Sequence, residues 1–315
     1  MLKNDCPASV SQKMKDEYRR NLNLLTGGSG RLLLVAGDQK VEHLNDDFFG
    51  RGISPEDAEP EHLFKVAAAS NGGVLATHLG FISRYGQDYP NLPYIVKING
   101  RSNLGSFEEK LAGDTWWNIE QIINFKKQSG LKIAGIGLTI YLGNKYETAM
   151  LSQAAQLIFE AHQAGLVAIV WMYPRGPKIN EEAIHTIAGG AGVAAALDAD
   201  FVKVKYPYGS KNKKIAEAYR EVIKAAGRTK VICVGSSRRP AEEIFNDLEK
   251  QLRVGANGLA IGRNLHQRDL KEASLLGQAL KAMIIDKASV KEAKNIYSGR
   301  QTVKKTKEKT LFGLF

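Results

Sequence analysis

A lysine set inside an apolar run is the most chemically suggestive feature of this 315-residue sequence. In Phe201-Val202-Lys203-Val204-Lys205 the two-residue period of a strand puts Lys203 and Lys205 on one face, opposite Val202 and Val204. Burial and a neighbouring cation both lower an amine's pKa from about 10.4, freeing it as a nucleophile toward carbonyls. The alternative is an exposed edge strand, or lysines paired with carboxylates. Tyr173 closes the run Val170-Trp171-Met172-Tyr173-Pro174-Arg175-Gly176. A phenol at a strand end near a lysine reads as an acid–base group, because a nearby ammonium favours phenolate. Trp171 faces the same way and could pack over a substrate; core or rim packing is the alternative for both rings. Asp38, after the apolar residues 32–36, could orient a hydroxyl or accept a proton, or else cap a helix or pair with a cation. Gly235-Ser236-Ser237, ahead of a helix starting near Pro240, and Gly262-Arg263-Asn264 offer N–H groups and a guanidinium suited to an anion.

These residues lie far apart in sequence, so the elements that carry them must bring them together. Short, nearly continuous apolar runs occur at residues 31–38, 73–80, 94–100, 133–141, 166–174, 201–207, 230–237 and 258–264. Each has the character of a strand covered on both faces. Helical periodicity separates them, most clearly over 145–164, 181–197, 211–226 and 241–254. Several of these segments stop at small residues such as Ala164-Gly165 or Gly255-Ala256. Such alternation predicts right-handed βαβ units, and eight units in about 240 residues predict one closed (β/α)8 TIM barrel. An amphipathic stretch over 9–25 ends at Gly27-Gly28-Ser29-Gly30 and predicts a preceding helix. The organisation is therefore an N-terminal helical segment (1–30), a barrel (31–287) and a basic tail (288–315). Residues 81–89 are too short and polar for a full barrel helix, and 101–117 read as a long loop after the third strand. Barrel sites gather at the C-terminal strand ends. That rule collects Asp38, Trp171, Tyr173, Lys203, Lys205, Gly235, Ser236, Gly262 and Arg263 at one mouth.

Composition narrows the function classes. An apolar fraction of 43% excludes global disorder. Cys6 and Cys233 are too few for a disulfide framework or a cysteine-built metal site. The first residues, MLKNDCPASVSQK, hold no apolar core, and no run approaches the length of a membrane span. A cytoplasmic protein without a membrane partner is expected. The six histidines show no metal-ligand spacing and there is no P-loop, so neither metal nor cofactor is expected. Gly189-Gly190-Ala191-Gly192 falls in a helical segment, which discounts it as a dinucleotide fingerprint. The net charge of +11 suggests an anionic partner. The tail holds seven of the Lys and Arg residues against two Glu, with 302–309 reading as weakly ordered and 311–315 (LFGLF) as an apolar docking patch. Nucleic-acid binding through that tail is one alternative, but the aromatics that single-strand binders interleave with their cations are absent there.

Taken in order, Gly37-Asp38-Gln39-Lys40 with Glu42-His43, Trp171 to Gly176, Val202 to Tyr206, and Ala260-Ile261-Gly262-Arg263-Asn264 resemble the archaeal-type class I fructose-1,6-bisphosphate aldolases. The resemblance covers residues 31–287. It implies a cytoplasmic homo-oligomer that reversibly cleaves fructose 1,6-bisphosphate to dihydroxyacetone phosphate and glyceraldehyde 3-phosphate without a metal. It implies further that Lys203 forms the Schiff base, Tyr173 serves as acid–base and Asp38 orients substrate. Trp171, Arg175 and Lys205 would then line the pocket, and the loops at Gly235-Ser236 and Gly262-Arg263 would hold a phosphate. A related Schiff-base aldolase or transaldolase-like enzyme on another phosphorylated sugar is the alternative. Where the family often has Asp-His-Gly this chain has Asp38-Gln39-Lys40, and Gly235-Ser236 stands where it often has Gly-Gly.

Overall fold

Alternation of side chains along the strands decides which residues fill the barrel and which support its helices. The computed structural model describes residues 6–207, 213–235 and 237–300. Its strands are β1 (Leu32–Ala36), β2 (Val74–His78), β3 (Tyr94–Lys97) and β4 (Ile133–Leu142). They continue with β5 (Val167–Pro174), β6 (Phe201–Val204), β7 (Lys230–Val234) and β8 (Gly258–Ile261). Each pairs in parallel with the next, and β8 closes on β1 through Leu32 opposite Gly258 and Leu34 opposite Ala260. The single (β/α)8 TIM barrel expected from the sequence is the observed fold.

Helix α1 (Lys15–Thr26) precedes the barrel. The first strands are followed by α2 (Gln39–Glu42), α3 (Glu61–Ala69), α4 (Leu79–Tyr85) and α5 (Ile119–Ser129). Next come α6 (Glu147–Gln163), α7 (Ile184–Ala196), α8 (Lys213–Ala218), α9 (Arg220–Ala226) and α10 (Ala241–Val254). The last are α11 (Arg263–His266), α12 (Leu270–Ile284) and α13 (Val290–Tyr297). The connection after β2 is the short helix expected there, and residues 101–117 form the long loop after β3, with one 3-10 turn at Glu109–Leu111. No helix among the described residues is long and apolar enough to cross a membrane.

Inside the barrel, Leu32, Leu34, Val74, Ala76, Ile95, Val167, Ile169, Trp171, Phe201, Ile232 and Ala260 form one cluster. The intervening residues, such as Leu33, Val35, Val96, Val170 and Val202, face the helices in a second cluster. Helix α1 plugs the N-terminal end, where Tyr18, Leu22 and Leu25 join the interior cluster. Two glycines mark points of close approach. At Gly258, with φ +144°, a Cβ would lie 1.9 Å from the Leu32 carbonyl oxygen, so the closing β1–β8 seam has no room for one. At Gly137 a Cβ would lie 2.3 Å from the Trp171 ring, and its absence lets the indole lie across the barrel.

The first part of the basic tail is helical. Residues 288–300 are structured, since Ser289 and Glu292 form a capping box for α13, and Ala293 and Ile296 are buried. Helix α13 packs on α12 and α10, and Tyr297 donates to Glu272 at 2.7 Å. Residues 302–309 and the LFGLF segment lie outside the described residues.

A buried polar cluster fastens the plug. Asp200 accepts from the Tyr18 hydroxyl and from the Ala168 N–H at 2.8 Å, and lies 3.1 Å from His162 Nε2. Ser9 Oγ lies 2.7 Å from His162 Nδ1. Burial would lower the pKa of His162, but its hydrogen bond to Asp200 and the charges of Asp200 and Asp198 outweigh that and raise it. A raised folded pKa stabilises the fold fully below the ordinary histidine value, and that part is lost as pH rises through the folded value. Asp200→Ala is expected to cost about 1–3 kcal/mol, because the buried Tyr18 hydroxyl and Ala168 N–H lose their acceptor, and His162 keeps only Asp198 as a carboxylate partner. Denaturant midpoints at about pH 6 and about pH 9 check this, and part of the deficit should fade at the higher pH.

Candidate active site

The inward-facing positions run past the apolar layers and become polar at the C-terminal strand ends. Counting in twos from Leu34, Val74, Ile95, Trp171 and Phe201 leads to Asp38, His78, Lys97, Tyr173 and Lys203. Lys203 therefore stands one inward step above Phe201, opposite Trp171 in the β5–β6 register. Its Nζ lies 4.9 Å from the centre of the Trp171 ring. The indole itself is 1% exposed and forms the floor beneath the ammonium.

Sequence reasoning did not single out the second lysine of this site. Lys97, at the end of β3, is fully buried, with Nζ 5.6 Å from the same indole centre. It donates to the Asn99 carbonyl at 2.9 Å and lies 3.6 Å from Asp38 Oδ2 and 3.9 Å from Glu42 Oε1. Lys203, by contrast, has no carboxylate within ion-pair distance among the described residues. Of two lysines on one ring, Lys97 is tied down and Lys203 is free to react.

Charges set the protonation states. Burial lowers the pKa of Lys203, with Lys97 and Arg263 pushing the same way and Asp38 and Glu42 opposing. The cation that activates Lys203 is thus Lys97, not the expected Lys205. β6 ends at Val204, and Lys205 lies beyond it at the rim, 2.6 Å from Glu181 and 3.0 Å from Glu182. For Asp38, burial works against ionisation, but Lys203 and Lys97 outweigh it and hold the carboxyl below its usual range. Asp38 makes no capping bond to α2, so its charge is directed to the lysines rather than to a helix end.

The expectation for Tyr173 is reversed. Burial raises its pKa well above the ordinary value, and Glu42, Asp38 and Tyr141 add to the effect against Arg175. Burial first, and then the nearby carboxylates, favour the protonated phenol over the phenolate. Tyr141 on β4 sits beside Tyr173 in register and stacks on it at 6.2 Å. The Arg175 guanidinium lies 5.8 Å from the Tyr173 ring and pairs with Glu181 at 2.9 Å.

Of the expected anion-binding loops, Gly235 donates its N–H to the Ala260 carbonyl at 2.7 Å, which occupies that donor within the fold. Ser236 lies outside the described residues. Gly262 caps α11 and accepts from the Leu265 N–H at 2.7 Å. Arg263 is half-buried at the mouth, 3.7 Å from Asp47, which also meets His43 at 2.5 Å. Asn264 ties the two loops together, donating to Ser237 and accepting from Arg239 N–H, each at 3.0 Å.

His78 is one of the histidines without ligand spacing in the sequence. It closes β2 beside Lys97, stacked on Trp116 at 4.9 Å. Burial, with Lys97 adding, pushes it down to about 4, so it is neutral at physiological pH. Buried side-chain atoms without partners concentrate here: both His78 nitrogens, Trp171 Nε1, Thr139 Oγ1 and Gln39 Oε1. Each costs about 1–3 kcal/mol, a cost tolerated where a ligand can satisfy the groups. Lys97 and His78 both end apolar runs in the way that singled out Lys203, so the same criterion applied to every strand would have found them.

A buried amine with a lowered pKa and no carboxylate in ion-pair distance among the described residues, sharing a barrel mouth with a phenol and a carboxylate, is equipped to form an imine and move protons around it. The model of the DeoC/LacD family aldolases matches residues 32–268. The chain belongs to this family. It is an aldolase, a lyase. It is 45% identical over 93% of its length, and 94% of the relative's, to the fructose-bisphosphate aldolase/6-deoxy-5-ketofructose 1-phosphate synthase of Methanocaldococcus jannaschii. The structure is similar to that of the fructose-bisphosphate aldolase from Slackia heliotrinireducens, with TM-score 0.91 and 41% identity over 95% of both chains. It also resembles an archaeal fructose-1,6-bisphosphate aldolase solved with its catalytic lysine bound to the carbinolamine intermediate. There the TM-score is 0.73 and the identity 27%, over 85% of this chain and 99% of that one.

Lys97→Met tests the proposed electrostatics. Removing the neighbouring cation should raise the pKa of Lys203, moving the acid limb of the pH–rate profile to higher pH. An unmoved limb would show that the Lys97 charge does not set the amine.

Proposed function

We propose that the protein is a class I, metal-independent fructose-bisphosphate aldolase with Lys203 as the Schiff-base lysine, Tyr173 as acid–base and Asp38 as the group that orients substrate hydroxyls. One observation carries the reading: the buried Lys203 ammonium lies over Trp171 with its pKa lowered, while the adjacent Lys97 absorbs the nearby carboxylates. The protonated Tyr173 lets the proton balance close. Neutral Lys203 adds to the C2 carbonyl to give a carbinolamine. Tyr173 gives its proton to the departing hydroxyl, leaving an iminium, water and a phenolate that the new cation stabilises. The phenolate then takes the C4 hydroxyl proton as the C3–C4 bond breaks, and the electron pair moves into the iminium to form a neutral enamine. Tyr173 gives that proton to C3, which restores the iminium; water then adds to C2 and releases the ketone phosphate and the neutral amine, and the proton set free returns to the Tyr173 phenolate.

A second reading keeps the chemistry and changes the sugar. The name of the Methanocaldococcus relative includes a 6-deoxy-5-ketofructose 1-phosphate synthase, which supports an alternative phosphorylated substrate at the same mouth. Cleavage assays on a panel of phosphosugars separate the two.

Borohydride reduction with dihydroxyacetone phosphate should label Lys203, read by peptide mass, and cleavage of fructose 1,6-bisphosphate should persist in EDTA. Tyr173→Phe should slow turnover about 10²–10⁴-fold. A Lys203→Ala protein that still cleaves would overturn the assignment.

A further inference from the structure

The cations around the mouth differ in how far the fold has already neutralised them. Lys97 faces Asp38 and Glu42, Arg175 and Lys205 share Glu181, and Arg263 faces Asp47. Arg101 has no carboxylate within ion-pair distance among the described residues, and its Nε is buried without a partner. It is not a loose surface cation. Its guanidinium lies 5.2 Å from the centre of the Tyr141 ring and donates to the Tyr141 hydroxyl at 3.3 Å.

The loop that follows Arg101 is pinned on several sides. Asn99 donates to the carbonyls of Gly113 and Thr139 at 3.0 and 2.8 Å and accepts from the Thr139 N–H at 2.8 Å. Trp116 donates its N–H to Ile98 at 2.8 Å and stacks on His78. Lys145 holds Glu108 at 2.5 Å, and Gln153 donates to Thr115 at 2.7 Å. Arg101 is therefore presented by an ordered frame, and an ordered guanidinium with spare donors binds an anion at low entropic cost.

Its position around the ring gives the site a meaning. In an eight-strand barrel β4 lies opposite β8, and Arg101 sits on Tyr141 of β4 while Arg263 follows β8. Tyr141 is in register with Tyr173 on the neighbouring strand. We propose that Arg101, seated on Tyr141 across the barrel mouth from Arg263, forms the anion subsite for the second phosphate of a doubly phosphorylated open-chain sugar. That phosphate belongs to the aldehyde half, whose carbonyl forms at Tyr173. The subsite rests on the Schiff-base reading above and selects bisphosphate over monophosphate substrates of the same chemistry.

The test compares kcat/KM for fructose 1,6-bisphosphate and fructose 1-phosphate in the wild type, Arg101→Gln and Arg101→Lys. The bisphosphate-to-monophosphate ratio should fall at least tenfold in Arg101→Gln, chiefly through KM for the bisphosphate. Arg101→Lys, which keeps the charge but not the planar fork, should recover part of the ratio, and its ratio decides if the Gln variant does not fold. An unchanged ratio, or an equal loss on both sugars, overturns the subsite while wild-type borohydride trapping by dihydroxyacetone phosphate leaves the Schiff-base reading intact. Wild-type protein that is not trapped overturns both.

Discussion

Two ammonium groups over one indole, inside a barrel, make an arrangement that would be costly if both stayed charged and unpaired. The fold resolves it asymmetrically. Asp38, Glu42 and the Asn99 carbonyl surround Lys97 and hold it in place. Lys203 has the ring but no carboxylate within ion-pair distance among the described residues, and burial, with the fields of Lys97 and Arg263, makes its proton easier to lose. Much of the surrounding mouth follows from this balance. Burial raises the Tyr173 phenol, and the same carboxylates that fix Lys97 add to that shift, so the proposed amine and proton donor share one distribution of charge.

The two ends of the barrel divide the work. At the N-terminal end α1 fills the opening, and buried polar groups there are paired within the protein around Asp200 and His162. At the C-terminal end His78, Trp171 and Thr139 keep buried polar atoms without partners. Among the described residues the polar groups around Asp200 and His162 are answered within the protein, while several at the C-terminal mouth are not, in keeping with an architecture whose sites lie at that end. Gly137 links the two, because the missing side chain is what allows Trp171 to lie flat beneath both lysines.

Much of the barrel was legible in the sequence, because strands covered on both faces need nearly continuous apolar runs and helices between them need a 3.6-residue period. Asp38, Tyr173 and Lys203 were legible because a polar group that ends or interrupts such a run is conspicuous. Lys97 and His78 carried the same mark at the ends of β3 and β2, yet neither has meaning until the ring closes and sets it beside the others. Lys205 shows the converse. Its spacing from Lys203 suits a shared face, but β6 ends one residue too soon, and Glu181 and Glu182 hold the side chain at the rim.

By itself, the sequence determined the order of elements, the alternating faces of each strand and the residue types available at the mouth, since these depend on local periodicity. Only the tertiary structure decided which lysine is paired, which has no carboxylate in ion-pair distance among the described residues, and that the pKa of Tyr173 is raised. It alone placed Gly235's N–H in a bond to the fold and Arg101 on Tyr141. Those outcomes depend on distances between side chains from different strands, and on burial that changes the strength of every charge. No spacing along one chain encodes such distances until the barrel has closed.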